Sequence, residues 1–208
     1  PSQDEAQRGG GAGVRECAGR GGPVPPRHGE PGDDPGQAGG VTMQTSIAAE
    51  VLQLCRERGL TLAAAESCTG GLIAEVLTRL SGASEILDCA FVVYNEKAKI
   101  QLISVPPEII QEFGVVSEQC AEKMAFGAVK KSPNANIGIS TTGVAGPTGG
   151  DAKNPVGTVC FALYFENSQN PQIKTFRKIF DGNRQQIRQQ ATLFILTELL
   201  NLLKDLQK

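Results

Sequence analysis

The spacing of apolar residues changes several times along the chain, and each change predicts a different secondary-structure element. Ile47, Val51, Leu54 and Cys55 recur at helical spacing and stop at Gly59, which predicts a helix that ends there. Similar spacing predicts helices over residues 72–80, from 117 to 129, and over 184–206. Short apolar runs predict strands at residues 60–65, 89–94, 137–142, 156–165 and 173–180.

The order of these elements predicts the fold class. Helices and strands alternate, a polar loop joins the last two strands, and the segment Val105-Pro106-Pro107 ends any helix before it. Alternating elements with two antiparallel late strands predict one α/β domain, a three-layer α/β/α sandwich with a mixed sheet.

The first forty residues differ sharply in composition from the rest. They hold 12 of the 25 glycines, 6 of the 12 prolines and the single histidine, His28, and they lack Ile, Leu, Phe and Lys. Such a segment buries too little apolar surface to offset the entropy of ordering its backbone. We therefore predict a disordered tail over residues 1–42, a non-native leader or cloning remnant, and a folded domain over residues 43–208. Chemistry in that domain has to run without imidazole.

Charge and cysteine content exclude several classes of function. From Val41 onward the chain has 16 basic and 16 acidic residues, and this neutral balance argues against nucleic-acid binding. Its apolar stretch at residues 191–203 is interrupted by Glu198 and Asn201, which argues against a membrane-spanning helix. The cysteines of this part form no CxxC pair and have no histidine beside them, so we expect no metal site. Isolated core cysteines are typical of a reducing compartment, and we expect a cytoplasmic protein.

A first glycine-rich turn contains candidate nucleophiles. Ser67 and Cys68 stand between a predicted strand and a predicted helix, where unpaired amides of the helix could stabilise an oxyanion or hold a phosphate. Ser67 could equally be a simple helix cap, and a Cys68 thiolate could be the nucleophile instead. Without histidine, the base for a serine would be a lysine of lowered pKa. Lys97 and Lys99 both follow a predicted strand, Lys99 in the more apolar setting, and either could instead be a solvated surface charge.

A second glycine-rich turn and two arginines are candidates for ligand binding. The sequence TTGVAGPTGG at residues 141–150 follows a predicted strand but matches neither a Walker motif nor GxGxxG, so it indicates a ligand loop without naming the ligand. Arg184 and Arg188 lie one helical turn apart and could clamp a phosphate or carboxylate, or form a solvated basic face.

Five motifs occur together in order: AESCTGG (65–71), YxxxxK (94–99), GVVSE (114–118), TTGVAGPTGG with PVGTV (141–159) and DGNRQQIR (181–188). From residue 43 to the C-terminus the chain thereby closely resembles the CinA C-terminal domain family, the nicotinamide-nucleotide amidases. The resemblance implies hydrolysis of the carboxamide of nicotinamide mononucleotide, without metal or cofactor, to nicotinic acid mononucleotide and ammonia in pyridine-nucleotide salvage. It also leads us to expect a homo-oligomer. A regulatory, competence-related module that binds nucleotide without turnover is the alternative.

The resemblance also implies roles for particular residues. Ser67 would be the nucleophile, Lys99 the general base, and Tyr94 a hydroxyl that assists proton transfer or orients the lysine. We expect amides of the first turn to bind the oxyanion, and the second turn with the two arginines to hold the phosphate. The residues expected to bind substrate are Cys68, Thr69, Gly70, Gly71, Thr142, Gly143, Gly146, Gly149, Gly150, Arg184 and Arg188. Lys97 stands where the family more often has an acidic residue, a departure that concerns affinity more than reaction type.

Overall fold

The computed structural model describes residues 35–166 and 171–205, which form six α-helices and five strands. In chain order these are α1 Pro35–Arg58, β1 Leu62–Glu66, α2 Leu72–Thr78, β2 Leu87–Val92, α3 Glu96–Ile103, α4 Pro107–Phe113, α5 Glu118–Lys131, β3 Ile137–Gly143, β4 Thr158–Phe165, β5 Gln172–Ile179 and α6 Arg184–Asp205. A 3₁₀ turn, Ala83–Glu85, precedes β2.

The five strands form one mixed sheet in the order β2-β1-β3-β4-β5. Strand β1 runs parallel to both of its neighbours, whereas β3, β4 and β5 pair in antiparallel fashion. The predicted mixed sheet is thus confirmed. Because β1, β2 and β3 are parallel, their carboxyl ends lie at the same edge of the sheet, which is where open α/β sheets usually bind ligands.

Helices cover both faces of the sheet, and strand β1 shows why. Leu62 and Ala64 pack into a core with α1, α2 and α6, whereas Ala63 and Ala65 pack into a second core with α3, α4 and α5. Successive side chains of a strand point to opposite faces, so a strand that is apolar throughout must be covered on both sides. The result is the predicted three-layer sandwich, in which all five side chains of β1 are buried.

Most predicted elements differ from the observed ones by one or two residues at an end, and the larger differences concern α4 and α1. Helix α4 was not predicted, because the Pro106-Pro107 pair predicts only the end of a helix. That end is observed, since α3 ends at Ile103, but Pro107 also occupies the first turn of α4, where its missing N–H costs nothing. Strand β2 ends at Val92 rather than Tyr94, which places Tyr94 in the loop that leads to α3.

Helix α1 begins at Pro35 and so includes the backbone of residues 35–42, which the composition assigned to the tail. The remainder of that predicted tail, residues 1–34, lies outside the described residues. Helix α1 ends as predicted, with Gly59 in a left-handed conformation at φ 63°. Among the helices described, none has the length and apolar character required to cross a membrane.

Candidate active site

Ser67 and Lys99 form a hydrogen-bonded pair at the carboxyl edge of the sheet. Ser67 follows directly on β1, and its amide donates to the carbonyl of Thr141 on the neighbouring strand over 3.0 Å, which fixes the backbone of the serine. Lys99 lies on α3, and its Nζ is 2.9 Å from Ser67 Oγ and 2.9 Å from the carbonyl oxygen of Val93. The lysine is 2% exposed and the serine 7%. The sequence left Lys97 and Lys99 open on spacing alone, and the structure brings Lys99 to Ser67.

Burial lowers the pKa of Lys99, because a charged ammonium loses its hydration there. Cys120, Cys68 and Glu96 act in the opposite direction. Burial also raises the pKa of the Cys68 thiol to about 12 and that of Cys120 to about 11, so both thiols are uncharged at neutral pH. The environment of Lys99 therefore shifts its proton equilibrium toward the neutral amine, the form that can accept a proton from Ser67.

The raised pKa of the Cys68 thiol argues against this residue as the nucleophile. Desolvation is the largest influence on its thiol and outweighs the amides of Cys68 and Thr69 and the charge of Lys99, which lower the pKa. A thiol that stays protonated is a weak nucleophile. The geometry therefore favours the hydroxyl of Ser67 over the neighbouring sulfur.

Glu66 holds the turn that contains Ser67, a role that the sequence analysis missed. Its carboxylate is fully buried and accepts the amides of Gly71 and Ile73 on Oε2, at 3.0 and 3.1 Å, and that of Ala74 on Oε1 at 3.0 Å. These are amides that the first turn of α2 would otherwise leave unpaired. An acidic residue that ends a fully apolar strand, just before a glycine turn and a helix, was the signal available in the sequence.

The glycines allow the turn its shape. Gly70 and Gly71 have φ values of 61° and 95°, which side-chain-bearing residues rarely adopt. The Gly70 amide donates to the Ser67 carbonyl over 3.1 Å, and the Gly71 amide donates to Glu66. Of the four amides expected to bind an oxyanion, these two are therefore already engaged, which leaves those of Cys68 and Thr69.

A cavity of about 430 Å³ opens beside the Ser67–Lys99 pair. It is lined by Ser67, Cys68, Tyr94, Asn95, Glu96, Lys99, Val115, Val116, Thr142, Gly143, Val144, Ala145, Gly146, Thr148, Gly149 and Arg184. The loop after β3, which contains the second glycine-rich turn, thus forms one wall of the cavity. Of the predicted site residues, the structure does not bring Thr69, Gly70, Gly71, Gly150 or Arg188 to this lining. Asn95, Glu96, Val115 and Val116 line it without having been predicted.

Arg188 has a different environment from the one expected for a phosphate ligand. Its Nε and Nη2 donate to the carbonyl of Thr69 over 3.1 and 2.6 Å, so it ties helix α6 to the glycine turn. It lines a second groove with Glu75 and Arg79, a groove that Arg184 also borders. The structure thus gives Arg188 a contact with the turn that carries Ser67, and it separates this arginine from the cavity.

Arg184 and Tyr94 meet at the cavity. Arg184 Nη2 donates to the Tyr94 hydroxyl over 2.6 Å and Nη1 donates to the Gly146 carbonyl over 2.8 Å. The Tyr94 side chain is 57% exposed, and it is the Tyr94 carbonyl oxygen that lies near Ser67 Oγ, at 3.4 Å. The hydroxyl expected to assist Lys99 therefore contacts Arg184, while Val93 supplies the contact that orients the lysine. Over the described ranges, no three His, Cys, Asp or Glu side chains converge as metal ligands would.

Comparison with known proteins gives one family. The family model of the CinA C-terminal domain matches residues 44–203. A putative competence-damage inducible protein of Clostridioides difficile is 44% identical over 156 residues, 75% of this chain and 36% of that protein. Nicotinamide-nucleotide amidohydrolase PncC of Shigella flexneri is 41% identical over 153 residues, 74% of this chain and 90% of that protein. The chain thus spans about a third of the length of some relatives that it matches and most of the length of others.

Solved structures agree with the sequence comparison. The crystal structure of the competence/damage inducible protein CihA from Agrobacterium tumefaciens matches with a TM-score of 0.71 at 38% identity and covers 76% of this chain and 96% of that one. A CinA superfamily protein from Klebsiella pneumoniae matches with a TM-score of 0.73 at 32% identity, covering 78% and 98%.

Proposed function

Because the chain belongs to the CinA C-terminal domain family, as its motifs predicted, we propose that it hydrolyses the carboxamide of nicotinamide mononucleotide to the carboxylate and ammonia. The observation that carries the proposal is the 2.9 Å contact between Lys99 Nζ and Ser67 Oγ inside a cavity, with the lysine almost fully buried. The relatives named nicotinamide-nucleotide amidohydrolase support the choice of substrate.

In the proposed mechanism Ser67 is the nucleophile and Lys99 is the general base. The neutral amine of Lys99 takes the proton of the Ser67 hydroxyl as Oγ attacks the carboxamide carbon, and the resulting ammonium protonates the departing nitrogen, which leaves as ammonia. Water then attacks the acyl ester while Lys99 accepts its proton. The bond between the acyl carbon and Oγ breaks as Lys99 returns that proton to Ser67, and the acid product loses its proton to solvent and leaves as the carboxylate. The Val93 carbonyl holds the amine in line with Ser67 throughout.

The negative charge that develops on the carboxamide oxygen needs donors within the turn. The amides of Cys68 and Thr69 are the candidates, because those of Gly70 and Gly71 already donate to Ser67 and Glu66. Both amides also lower the pKa of the Cys68 thiol, so they lie beside that side chain, which lines the cavity. We assign them to the oxyanion, and we assign the phosphate to Arg184.

The contacts of Tyr94 favour a binding role over one in proton transfer. Its hydroxyl accepts from Arg184, and this contact places the guanidinium against the loop that carries Gly146. We propose that Tyr94 positions Arg184 for the nucleotide phosphate.

Ammonia release from nicotinamide mononucleotide by the purified protein tests the proposal. Ser67→Ala and Lys99→Met should each lower kcat by at least about 10³-fold, because removing either member of a nucleophile and base pair disables the unit. Lys97→Met is the matched control, since Lys97 lies on the same helix but is exposed and does not line the cavity. Activity near that of the wild type in either site variant would refute the mechanism. Tight nucleotide binding without any ammonia would instead support a regulatory module.

A further inference from the structure

Charged side chains are scarce in the lining of the cavity. Lys99 lies beside Ser67, Arg184 lies against Gly146, and Glu96 contributes the single carboxylate among the described lining residues. Neither the mechanism nor the family motif gives Glu96 a role. A carboxylate in a cavity meant for a phosphate ester is unexpected, because it would repel an anionic ligand placed beside it.

The backbone places Glu96 beside the reacting groups. It is the first residue of α3, whose start is fixed by the Asn95 side chain accepting the amide of Ala98 over 2.8 Å. Lys99 follows three residues later, so both side chains project from one face of the helix. Consistent with this proximity, Glu96 is one of the groups that raise the pKa of Lys99. Its carboxylate forms no ion pair within the part of the chain that the structure describes.

The carboxylate of Glu96 is therefore the negative charge among the described residues that line the cavity. The thiols of Cys68 and Cys120 stay protonated, and a Lys99 that acts as a base is uncharged when substrate binds. The carboxamide at Ser67 is carried by a ring, and that ring has to lie near Lys99 and hence near Glu96. A neutral ring gains nothing from the carboxylate, whereas a positively charged ring is attracted to it.

We propose that Glu96 is a specificity-determining residue, and that it favours substrates whose carboxamide is carried by a cationic, N-substituted pyridinium ring. The inference rests on the proposed function and deepens it. Glu96 attracts the ring, and Arg184, which is held against Gly146, attracts the phosphate, so the cavity selects nucleotides that carry both charges. The ring keeps its positive charge from the bound substrate to the transition state, so this attraction lowers KM and leaves kcat unchanged.

Two nucleotides that differ in ring charge test the inference, and each is compared only with itself across the variants, because the uncharged ring also makes the carboxamide less electrophilic. Nicotinamide mononucleotide has a cationic ring, and its 1,4-dihydro form has the same carboxamide, ribose and phosphate on an uncharged ring. Steady-state kinetics with both are compared for the wild type, Glu96→Gln and the control Glu108→Gln. Glu108 is also an exposed acid in the first turn of a helix, α4, but it lies outside the cavity lining.

We expect Glu96→Gln to raise KM for the cationic substrate by about two- to five-fold, the size expected for a solvent-accessible ion pair, while kcat and the KM for the dihydro substrate stay within about 1.5-fold. The kinetics are measured at pH values where kcat/KM no longer changes with pH. Loss of this carboxylate also lowers the pKa of Lys99, which shifts the rise of kcat/KM with pH for both substrates alike. Glu108→Gln should match the wild type. Equal changes for the two substrates, or no change for either, would overturn the inference.

Failure of the proposed function is a separate result, recognised when the wild type releases no ammonia from nicotinamide mononucleotide. The inference is then tested by calorimetric binding of both nucleotides to Ser67→Ala protein. Adding Glu96→Gln in that background should weaken binding of the cationic nucleotide by about two- to five-fold and leave the dihydro nucleotide unaffected. Equal dissociation constants with and without the Glu96 carboxylate would refute it.

Discussion

Replacing Glu66 with glutamine should destabilise the fold strongly, although it exchanges one oxygen for an NH₂ group. The carboxylate accepts three amides, those of Gly71 and Ile73 on one oxygen and that of Ala74 on the other. A glutamine has one acceptor oxygen, and its NH₂ group can only donate. In the less costly orientation the oxygen keeps Gly71 and Ile73, and the amide of Ala74 loses its partner.

The size of the effect follows from these contacts. A hydrogen bond to a charged acceptor contributes roughly 1.5–3 kcal/mol, and a negative charge at a helix N-terminus roughly 0.3–1 kcal/mol. Relief of the buried charge offsets part of this loss. We therefore expect the free energy of unfolding to fall by about 2–3 kcal/mol. The turn that carries Ser67 should loosen as well, which lowers kcat because the reacting atoms are no longer held in place.

Urea unfolding followed by circular dichroism measures the change, with the free energy taken from the linear dependence on urea. Glu108→Gln is the control, since it makes the same chemical exchange at an exposed position and should shift stability by less than about 0.5 kcal/mol. If Glu66→Gln were as stable as this control, the three amides could not depend on the carboxylate and the account of the turn would be wrong.

Four further predictions concern single residues. Burial lowers the pKa of Lys99 below its ordinary 10.5, so the unfolded chain binds more protons there between the two values. The free energy of unfolding of the wild type should therefore rise with pH over that range, and Lys99→Met should remove this part of the rise in urea titrations. The kcat/KM of the wild type should rise with pH as Lys99 loses its proton, with a midpoint below 10.5, and a flat profile would contradict a lysine base. Cys68→Ser should retain ammonia release within about ten-fold, whereas its loss would favour the thiol as nucleophile. Tyr94→Phe should raise KM by about two- to ten-fold with kcat little changed, because it removes a contact of Arg184; a collapse of kcat would instead place the hydroxyl in proton transfer.

The fold was largely predictable from the sequence because its signals are local. Strand β1 is a short apolar run of mostly small residues, so helices can cover both of its faces. Gly59 directly follows the last apolar residues of α1 and ends that helix, so the signal lies next to the feature it predicts. Helix α4 was missed for a local reason too. Proline can end one helix and can also occupy the first turn of the next. The Pro106-Pro107 pair does both, since α3 ends at Ile103 and α4 begins at Pro107.

The site was predictable where one segment contains the whole signal, and less so where the signal is a contact between distant segments. Ser67 and Lys99 each lie within a short motif. The partner of Arg188 is the Thr69 carbonyl, 119 residues away, and the partner of Arg184 is the Tyr94 hydroxyl, 90 residues away. Two arginines one turn apart look equivalent in a sequence. Only packing decides that one faces the cavity and the other ties down the glycine turn.

These contacts together restrict how a nucleotide can lie in the cavity. The start of α2 would attract a phosphate, but the Glu66 carboxylate already occupies its amides, and Arg188 lines a different groove. Arg184 is thus the cation of the lining that remains for a phosphate once Lys99 serves Ser67. Its contacts with Tyr94 and Gly146 use two of the five N–H donors of a guanidinium, so three remain for phosphate oxygens while the other two keep the group in place. We therefore propose that a substrate with its carboxamide at Ser67 directs its phosphate toward Arg184, where α6 meets the loop after β3, and that its ring lies near Glu96.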